Sequence, residues 1–433
     1  LDGTRPFMGA SPDEGDFHGY PQWDASECWN SELVRGPFAS EWGSHGMPSA
    51  QTYREIVGAR EAEAVIGPTV LQMDKKLMDE QFPEIAYHWV EFSADRLPQM
   101  LSRGSAYDDL ATVPLERFAE AIAAGSAEFY KYSAEAARSG YPRNGGLLFW
   151  VWKRPWPIVG VQICDGLGQP LAVYYDVKRA YSSLWPCLVP PHLNYVPGDN
   201  VAMKTLVFSE VHHADIQGAR LTVRLIDPQL RQRRVWNEGP AIDIPAGPHS
   251  VAGPTIGFTV PDDFTHSFFF LVIEIDDAAG NLVARNVYPF RCPPQLENDA
   301  WREKYRSEAR PGLQLTAGPW LRPQLLKLPT ALAAKIIVAE QESDTRGRLV
   351  VAVENTGGRP AVMTNIHVAG RLRYVADDAF FWLEPGERRE IELRLRLLPG
   401  ESPKDLEVSA RAWNCDPGCK QTASLRCLER DSP

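Results

Sequence analysis

The hydrophobic periodicity of the chain changes near residue 200, and this change constrains the fold more than any other feature. Before it, helical patterns alternate with short continuous apolar runs; after it, apolar and polar residues alternate, as in residues 389–396. The first pattern is typical of parallel α/β structure and the second of antiparallel sheets. The sequence therefore predicts a multidomain chain of α/β structure followed by β structure.

The first part predicts a helix, a buried strand and a second helix in succession. Apolar residues recur at helical spacing over 114–137, and Gly140 follows as a stop signal. The continuous apolar run 145–152 predicts a strand buried on both faces, and residues 170–181 predict the next helix. This order is typical of βα units, and we assign it to residues 1–190.

Two β-sandwiches are predicted beyond that point. Strand patterns at 221–226 and 268–275 predict a sandwich over residues 191–297. Alternation resumes at 348–353 and predicts a second sandwich over residues 313–433. The charged stretch between them, which is short of strand-forming residues, predicts a linker over residues 298–312.

Charge and apolar content exclude two kinds of partner. The chain has 45 Lys and Arg against 56 Asp and Glu, a net charge of −11, so we expect no nucleic acid and no anionic membrane as a partner. No run approaches the ~20 apolar residues of a spanning helix, which predicts a soluble chain and leaves its compartment, cytoplasmic or periplasmic, open. Seven cysteines do not indicate a disulfide framework, and Cys415 and Cys419 predict a local disulfide or plain thiols.

Glu41 is the first candidate for chemistry. It ends the short run 38–41 and is followed by Gly43, Pro48 and a helix that Ser49 can cap. A carboxylate at the C-terminal end of a strand occupies the position at which α/β barrels carry their active sites. A loop glutamate in solvent is the alternative that spacing alone leaves open.

Three segments resemble the β-mannosidases of glycoside hydrolase family 2. Residues 35–49, with Ser40-Glu-Trp-Gly43 followed by Pro-Ser before a helix, resemble the nucleophile region. Residues 146–157, followed by 165–181, resemble the last barrel strand and helix, and residues 4–20 resemble more loosely the stretch ahead of the nucleophile. The resemblance implies the C-terminal part of a (β/α)8 barrel followed by two immunoglobulin-like β-sandwiches.

The resemblance also implies an activity. It indicates a retaining exo-β-glycoside hydrolase, most like β-mannosidase, that cleaves terminal β-linked sugars from an oligosaccharide or glycoside by double displacement. In such an enzyme one carboxylate attacks the anomeric carbon and a second carboxyl group, roughly 5–5.5 Å away, protonates the leaving oxygen. Glu41 is the implied nucleophile. No cofactor and no metal are expected, because a pair of carboxyl groups suffices.

Several aromatic residues are implied to bind the substrate. Trp150 is expected to form an apolar wall against the sugar ring, with Trp152 or Trp156 extending it; burial in the barrel core is the alternative. The residues expected to line the same pocket are His18, Tyr20 and Trp23.

The sequence departs from the family pattern in two places. Lys153-Arg154 stands where family members commonly carry Asn-Asp, which leaves β-glucosaminide, β-galactoside and β-glucuronide as alternative substrates. No Asn-Glu pair for the general acid precedes Glu41, and Asn237-Glu238, which imitates it, lies in strand-rich sequence and is predicted to be a sandwich turn.

A barrel needs all its strands to close, and this chain holds only about the last quarter of one. Together with the start at Leu1, this predicts that an N-terminal portion of the same enzyme supplies the other strands and the general acid. The alternative from a different class is a non-catalytic carbohydrate-binding or scaffold protein.

Overall fold

The protein is described here by a computed structural model. The residues that it describes are 10–12, 15–20, 25–66, 75–89, 96–210, 215–293, 318–369, 372–397, 406–423 and 426–427. The predicted linker and Trp23 lie outside the described residues.

A small parallel sheet forms the centre of the first part. Its strand order is β1-β2-β4, with both pairings parallel, and β3 and β5 form a separate antiparallel pair. The strands are β1 (Asp16–Gly19), β2 (Phe38–Trp42), β3 (His45–Gly46), β4 (Leu147–Phe149) and β5 (Gly160–Val161). Parallel pairing confirms the βα character predicted for this part.

The first part also contains helices, of which Leu115–Ser139 covers one face of this sheet. The α-helices are α1 (Glu32–Arg35), α2 (Ala50–Ala62), α3 (Lys75–Gln81), α4 (Pro83–His88), α5 (Arg96–Gly104), α6 (Leu115–Ser139) and α7 (Ala172–Ala180), and 3-10 turns span Ala25–Asn30 and Glu63–Ile66. Ser49 caps α2 as predicted, since its side chain accepts a hydrogen bond from the Thr52 amide. The predicted helices over 114–137 and 170–181 are confirmed as α6 and α7. Among the helices described, including the 25-residue α6, we find none with the length and apolar character that a membrane crossing requires.

The prediction for residues 145–152 needs correction. The strand has three residues instead of eight, and Leu148 is 55% exposed, so it is not buried on both faces. The physical reason is that α6 covers one face of the sheet: Leu147 and Ala39 share a buried cluster with Phe129 of α6. Leu148 points to the opposite face, which the described residues leave partly open.

Two antiparallel sheets follow and share one hydrophobic core. One has the order β10-β8-β13-β14 with β9 on β8, and the other has the order β11-β7-β12 with β6 on β7. The strands are β6 (Leu184–Val189), β7 (Asn200–Ser209), β8 (Ile216–Ile226), β9 (Gln232–Trp236), β10 (Ile242–Ile244), β11 (His249–Ala252), β12 (Ile256–Thr259), β13 (Ser267–Asp276) and β14 (Leu282–Cys292). Buried residues such as Met203 from one sheet and Phe269 from the other belong to the same cluster, as alternation of apolar residues predicts.

A second pair of sheets, preceded by the short helix α8 (Leu321–Leu325), ends the described chain. Their strand orders are β18-β20-β16-β15-β23 and β19-β17-β21-β22. The strands are β15 (Leu332–Ser343), β16 (Arg346–Asn355), β17 (Ala361–Val368), β18 (Leu372–Ala376), β19 (Phe381–Leu383), β20 (Arg388–Leu397), β21 (Leu406–Ala412), β22 (Cys415–Ala423) and β23 (Arg426–Cys427). Leu393 and Val408, from opposite sheets, pack in one core. The strands predicted at 348–353 and 389–396 are confirmed within β16 and β20.

A buried polar cluster joins α6 to the first pair of sheets. The Glu135 carboxylate, with no exposed surface, accepts hydrogen bonds of 2.9 Å from Trp185 Nε1, Asn286 Nδ2 and Tyr288 OH. One turn earlier, Lys131 Nζ lies 3.7 Å from the Tyr288 ring centroid. The helix that supports the parallel sheet is therefore fixed to the antiparallel sheets.

Candidate active site

A β-bulge at Ser40 determines which side chains reach the site. As β1 advances by one residue, its partner on β2 changes from Ala39 to Glu41, so Ser40 is an extra residue. Bulges of this kind redirect side chains and are frequent next to active sites. Ala39 and Trp42 are consequently buried on the helix side, while Ser40 and Glu41 both contact His18 of β1.

Trp42 fixes β2 to helix α6. Its side chain stacks on Phe129 of α6 with ring centroids 6.2 Å apart, and its Nε1 donates a hydrogen bond of 2.9 Å to Ser133 Oγ. A Cβ on Gly19, in the neighbouring strand, would lie 1.7 Å from Cζ3 of Trp42. Only glycine therefore fits between the two strands at this point, and the strand end that carries Glu41 is held firmly.

Both carboxylate oxygens of Glu41 have a close polar partner. Tyr20 OH donates to Oε1 at 2.5 Å, and His18 Nδ1 lies 2.7 Å from Oε2. The Glu41 side chain is 20% exposed, so it is oriented by its partners and still reachable from solvent. A fixed, accessible carboxylate is what nucleophilic attack requires.

The second carboxylate of this cluster is Asp16, and its side chain is only 2% exposed. It accepts hydrogen bonds of 2.6 Å from both Ser11 Oγ and Ser40 Oγ, and one of 2.8 Å from the Ser40 amide. The Ser11 and Ser40 hydroxyls hold the pKa of Asp16 below its ordinary value. A buried, ionised carboxylate cannot serve as the general acid, which must carry a proton.

Trp150 is placed beside the end of β2 by backbone contacts. Its amide donates a hydrogen bond of 2.9 Å to the Trp42 carbonyl. A Cβ on Gly43 would lie 2.1 Å from the Trp150 carbonyl oxygen, so the close approach needs glycine. The Trp150 side chain is 42% exposed, and the Arg154 guanidinium carbon lies 5.9 Å from its ring centroid.

The other two tryptophans of this loop are also on the surface. Trp152 is 59% exposed and Trp156 is 44% exposed, so neither is core. Trp156 stacks on the buried His88 ring at 5.3 Å with an angle of 6° between the planes. Its indole is therefore held with one face covered.

Part of this site could be predicted from the sequence. The structure brings Glu41, His18 and Tyr20 into direct contact, while Asp16 was missed as their neighbour. The available signal was the Asp-x-His spacing, which places both side chains on one face of a strand. Glu238 lies exposed in the loop after β9, as expected of a turn residue.

The described ranges contain no group of three or more His, Cys, Asp and Glu side chains that could hold a metal ion.

Solved structures of two kinds of glycosidase share this fold. The exo-chitosanase CsxA of Amycolatopsis orientalis matches with a TM-score of 0.66 and 18% identity, over 95% of this chain and 45% of the enzyme. A β-D-mannosidase from Dictyoglomus thermophilum matches with a TM-score of 0.61 and 16% identity, over 99% of this chain and 44% of the enzyme. No protein-family model and no curated protein matches the sequence.

These matches show that the chain shares the fold of the corresponding part of the two enzymes. The common structure is a mixed α/β chain dominated by β-sheets. The chain spans less than half the length of either enzyme.

Proposed function

We propose that this chain is the C-terminal part of a retaining exo-β-glycoside hydrolase, most like β-mannosidase, with Glu41 as the nucleophile. The observation that carries the proposal is the Glu41 carboxylate itself. It stands at the end of a parallel strand, Tyr20 donates a hydrogen bond to one of its oxygens and His18 Nδ1 lies 2.7 Å from the other, and its side chain is 20% exposed.

The architecture proposed with it follows the family. Strands β1, β2 and β4 are the last strands of a (β/α)8 barrel that covers residues 1–190. The two pairs of sheets lie mainly within residues 191–297 and 313–433, which we assign to two immunoglobulin-like sandwiches joined by the linker 298–312. The extent of the likeness to the chitosanase and the mannosidase supports this division.

In the proposed mechanism, one Glu41 oxygen attacks the anomeric carbon to form a glycosyl ester, and the glycosidic oxygen departs with a proton from the general acid. Water then attacks the anomeric carbon and gives a proton back to that group, which releases the sugar and the free Glu41 carboxylate. Tyr20 and His18 hold the attacking carboxylate in place. Asp16 does not protonate the leaving group, since it is buried and ionised, so we assign the general acid to an N-terminal portion of the enzyme.

The sugar is proposed to stack on the exposed Trp150 indole, with Trp152 and Trp156 extending the surface. The apolar face of an aromatic ring suits the C–H face of a pyranose. Arg154 beside Trp150 adds a cation at this wall. This contact favours a substrate with an anionic or strongly polar group, and β-glucuronide is therefore the second candidate substrate class.

A covalent trap that needs no general acid tests the proposal. We would incubate the enzyme, with its N-terminal portion present, with 2,4-dinitrophenyl 2-deoxy-2-fluoro-β-D-mannoside, and with the corresponding glucoside and glucuronide. Dinitrophenolate leaves without protonation, so a functional nucleophile should be labelled once, with the added mass on the peptide that contains Glu41. Intact and peptide mass spectrometry measure the product.

The matched control compares two glutamates. Glu41→Gln should abolish labelling, because an amide cannot form the glycosyl ester, whereas Glu238→Gln, in an exposed loop, should leave it unchanged. Labelling that persists in Glu41→Gln would exclude Glu41 as the nucleophile. Sugar binding by calorimetry without any labelling would favour the non-catalytic carbohydrate-binding alternative.

A further inference from the structure

The contacts around Asp16 determine to which atom the Ser11 and Ser40 hydroxyls donate their hydrogens. Ser11 Oγ and Ser40 Oγ each lie 2.6 Å from Asp16 Oδ2, and each donates its single hydrogen to that oxygen. The two hydroxyl oxygens are 3.1 Å apart, but neither has a hydrogen left for the other. Both oxygens can therefore act only as acceptors toward any third group.

The third group is the His18 ring. Its Nε2 lies 2.8 Å from Ser11 Oγ and 3.1 Å from Ser40 Oγ. Because both oxygens are acceptors here, Nε2 must carry a hydrogen and donate it. The charged groups that face the ring are Asp16, 3.9 Å from Nε2, and Glu41, 2.7 Å from Nδ1.

We propose that Asp16 is a positioning residue that fixes the proton on His18 Nε2 through the Ser11 and Ser40 hydroxyls, and thereby sets how His18 meets Glu41. With Nε2 directed at the two hydroxyls, the ring meets Glu41 through Nδ1, 2.7 Å from Oε2. This contact holds the carboxylate in one orientation.

The catalytic consequence rests on the proposed function, but the protonation of Nε2 does not. Asp16→Asn reverses the direction of the network. The backbone N–H of Ser40 still needs an acceptor. In the variant, the side-chain oxygen at position 16 therefore takes the place of Oδ1, and the side-chain NH2 group faces the two hydroxyls. The hydroxyl hydrogens are then released toward Nε2, which becomes an acceptor, and the proton moves to Nδ1.

Nuclear magnetic resonance of protein labelled with ¹⁵N-histidine reads this directly. The variant His18→Gln assigns the His18 signals. In the wild type we expect the ¹⁵N chemical shift of His18 Nε2 to be that of a protonated nitrogen. In Asp16→Asn we expect it to be that of an unprotonated nitrogen. If Asp16→Asn fails to fold, Ser11→Ala serves as the second variant, since it removes the acceptor nearer to Nε2 and lies at the edge of the cluster. Its Nε2 chemical shift should lie between those of a protonated and an unprotonated nitrogen. An unprotonated Nε2 in the wild type, or a signal unchanged in both variants, would overturn the inference.

The rate of labelling by the dinitrophenyl fluoroglycoside tests the role in catalysis. Asp16→Asn should slow labelling of Glu41 by about 10- to 100-fold, the range expected when a group that orients a reacting residue is lost. Asp263→Asn, at an exposed ion pair with Arg233, is the matched control and should label at the wild-type rate. Absence of labelling in the wild type refutes the proposed function and leaves the resonance experiment to decide the inference. Equal rates in Asp16→Asn and the wild type refute the positioning role.

Discussion

Adding one methyl group at Gly19 tests whether the packing around Trp42 holds the two site strands together. The new Cβ would lie 1.7 Å from Cζ3 and 2.0 Å from Cε3 of the indole, far inside contact distance. The indole cannot move away easily, because it is stacked on Phe129 and hydrogen-bonded to Ser133. We expect Gly19→Ala to cost about 3 kcal/mol of stability, the upper end of the range for overpacked cores.

A double-mutant cycle assigns that cost to the contact. Trp42→Phe removes the atoms that would collide and should itself cost about 1–2 kcal/mol, through a smaller ring and a lost hydrogen bond. The double variant should be less destabilised than the sum of the two by at least about 1 kcal/mol, because the clash is relieved. The measurement is urea unfolding of all four proteins, followed by circular dichroism.

Gly257→Ala is the matched control for strand propensity. Gly257 lies exposed on β12, and a Cβ there would come no closer than 3.6 Å to a neighbouring atom. Its stability should change by no more than about 0.5 kcal/mol. Additive free energies for Gly19→Ala and Trp42→Phe, or an equal loss in the control, would refute the argument that Trp42 fixes the strand spacing.

Two further predictions concern buried charge and the substrate wall. Burial raises the pKa of Glu135, so the folded state binds more protons than the unfolded state between the ordinary and the raised pKa. Relative to Glu135→Gln, the wild type should therefore lose stability as the pH rises above the ordinary pKa of a glutamate. The loss should be about 1.4 kcal/mol for each pH unit between the ordinary and the raised pKa. Urea unfolding measures the difference in free energy between the two proteins, and a difference that does not change with pH contradicts the prediction. Trp150→Ala should weaken sugar binding, measured by calorimetry, by about 10-fold or more. The free energy of unfolding should stay within about 1 kcal/mol of the wild-type value, because the side chain is 42% exposed. An unaltered sugar affinity would show that Trp150 is not part of the site.

The elements that could be predicted from the sequence are those with a long, regular pattern. Helix α6 shows its period over 25 residues and is bounded by Pro114 and Gly140, so local physical chemistry determines both ends. The strand at 145–152 was predicted too long, because a continuous apolar run carries no information on which face is covered. The exposure of Leu148 depends on what packs against the sheet, and that is a tertiary property.

The site shows the same division. Glu41, His18 and Tyr20 were identified through a resemblance, and contacts between them are found in the structure. Asp16 was missed because its importance depends on hydroxyls from two other segments, those of Ser11 and Ser40. Such a network has no sequence period, and only the pairing of the strands brings its members together.

The bulge at Ser40 connects these observations. In a regular strand Ala39 and Glu41 would share one face, so burying Ala39 against α6 would bury the carboxylate as well. Strand β2 has an extra residue relative to β1. It also has one relative to β4, because Ala39 pairs with Leu147 and Trp42, three residues later, pairs with Phe149, only two residues after Leu147. The burial of Ala39 and Trp42 on the helix side therefore forces the two residues between them to face outward together. One irregularity thus leaves Glu41 accessible and places the Ser40 hydroxyl between Asp16 and His18, which is why the position before Glu41 carries a small hydroxyl side chain.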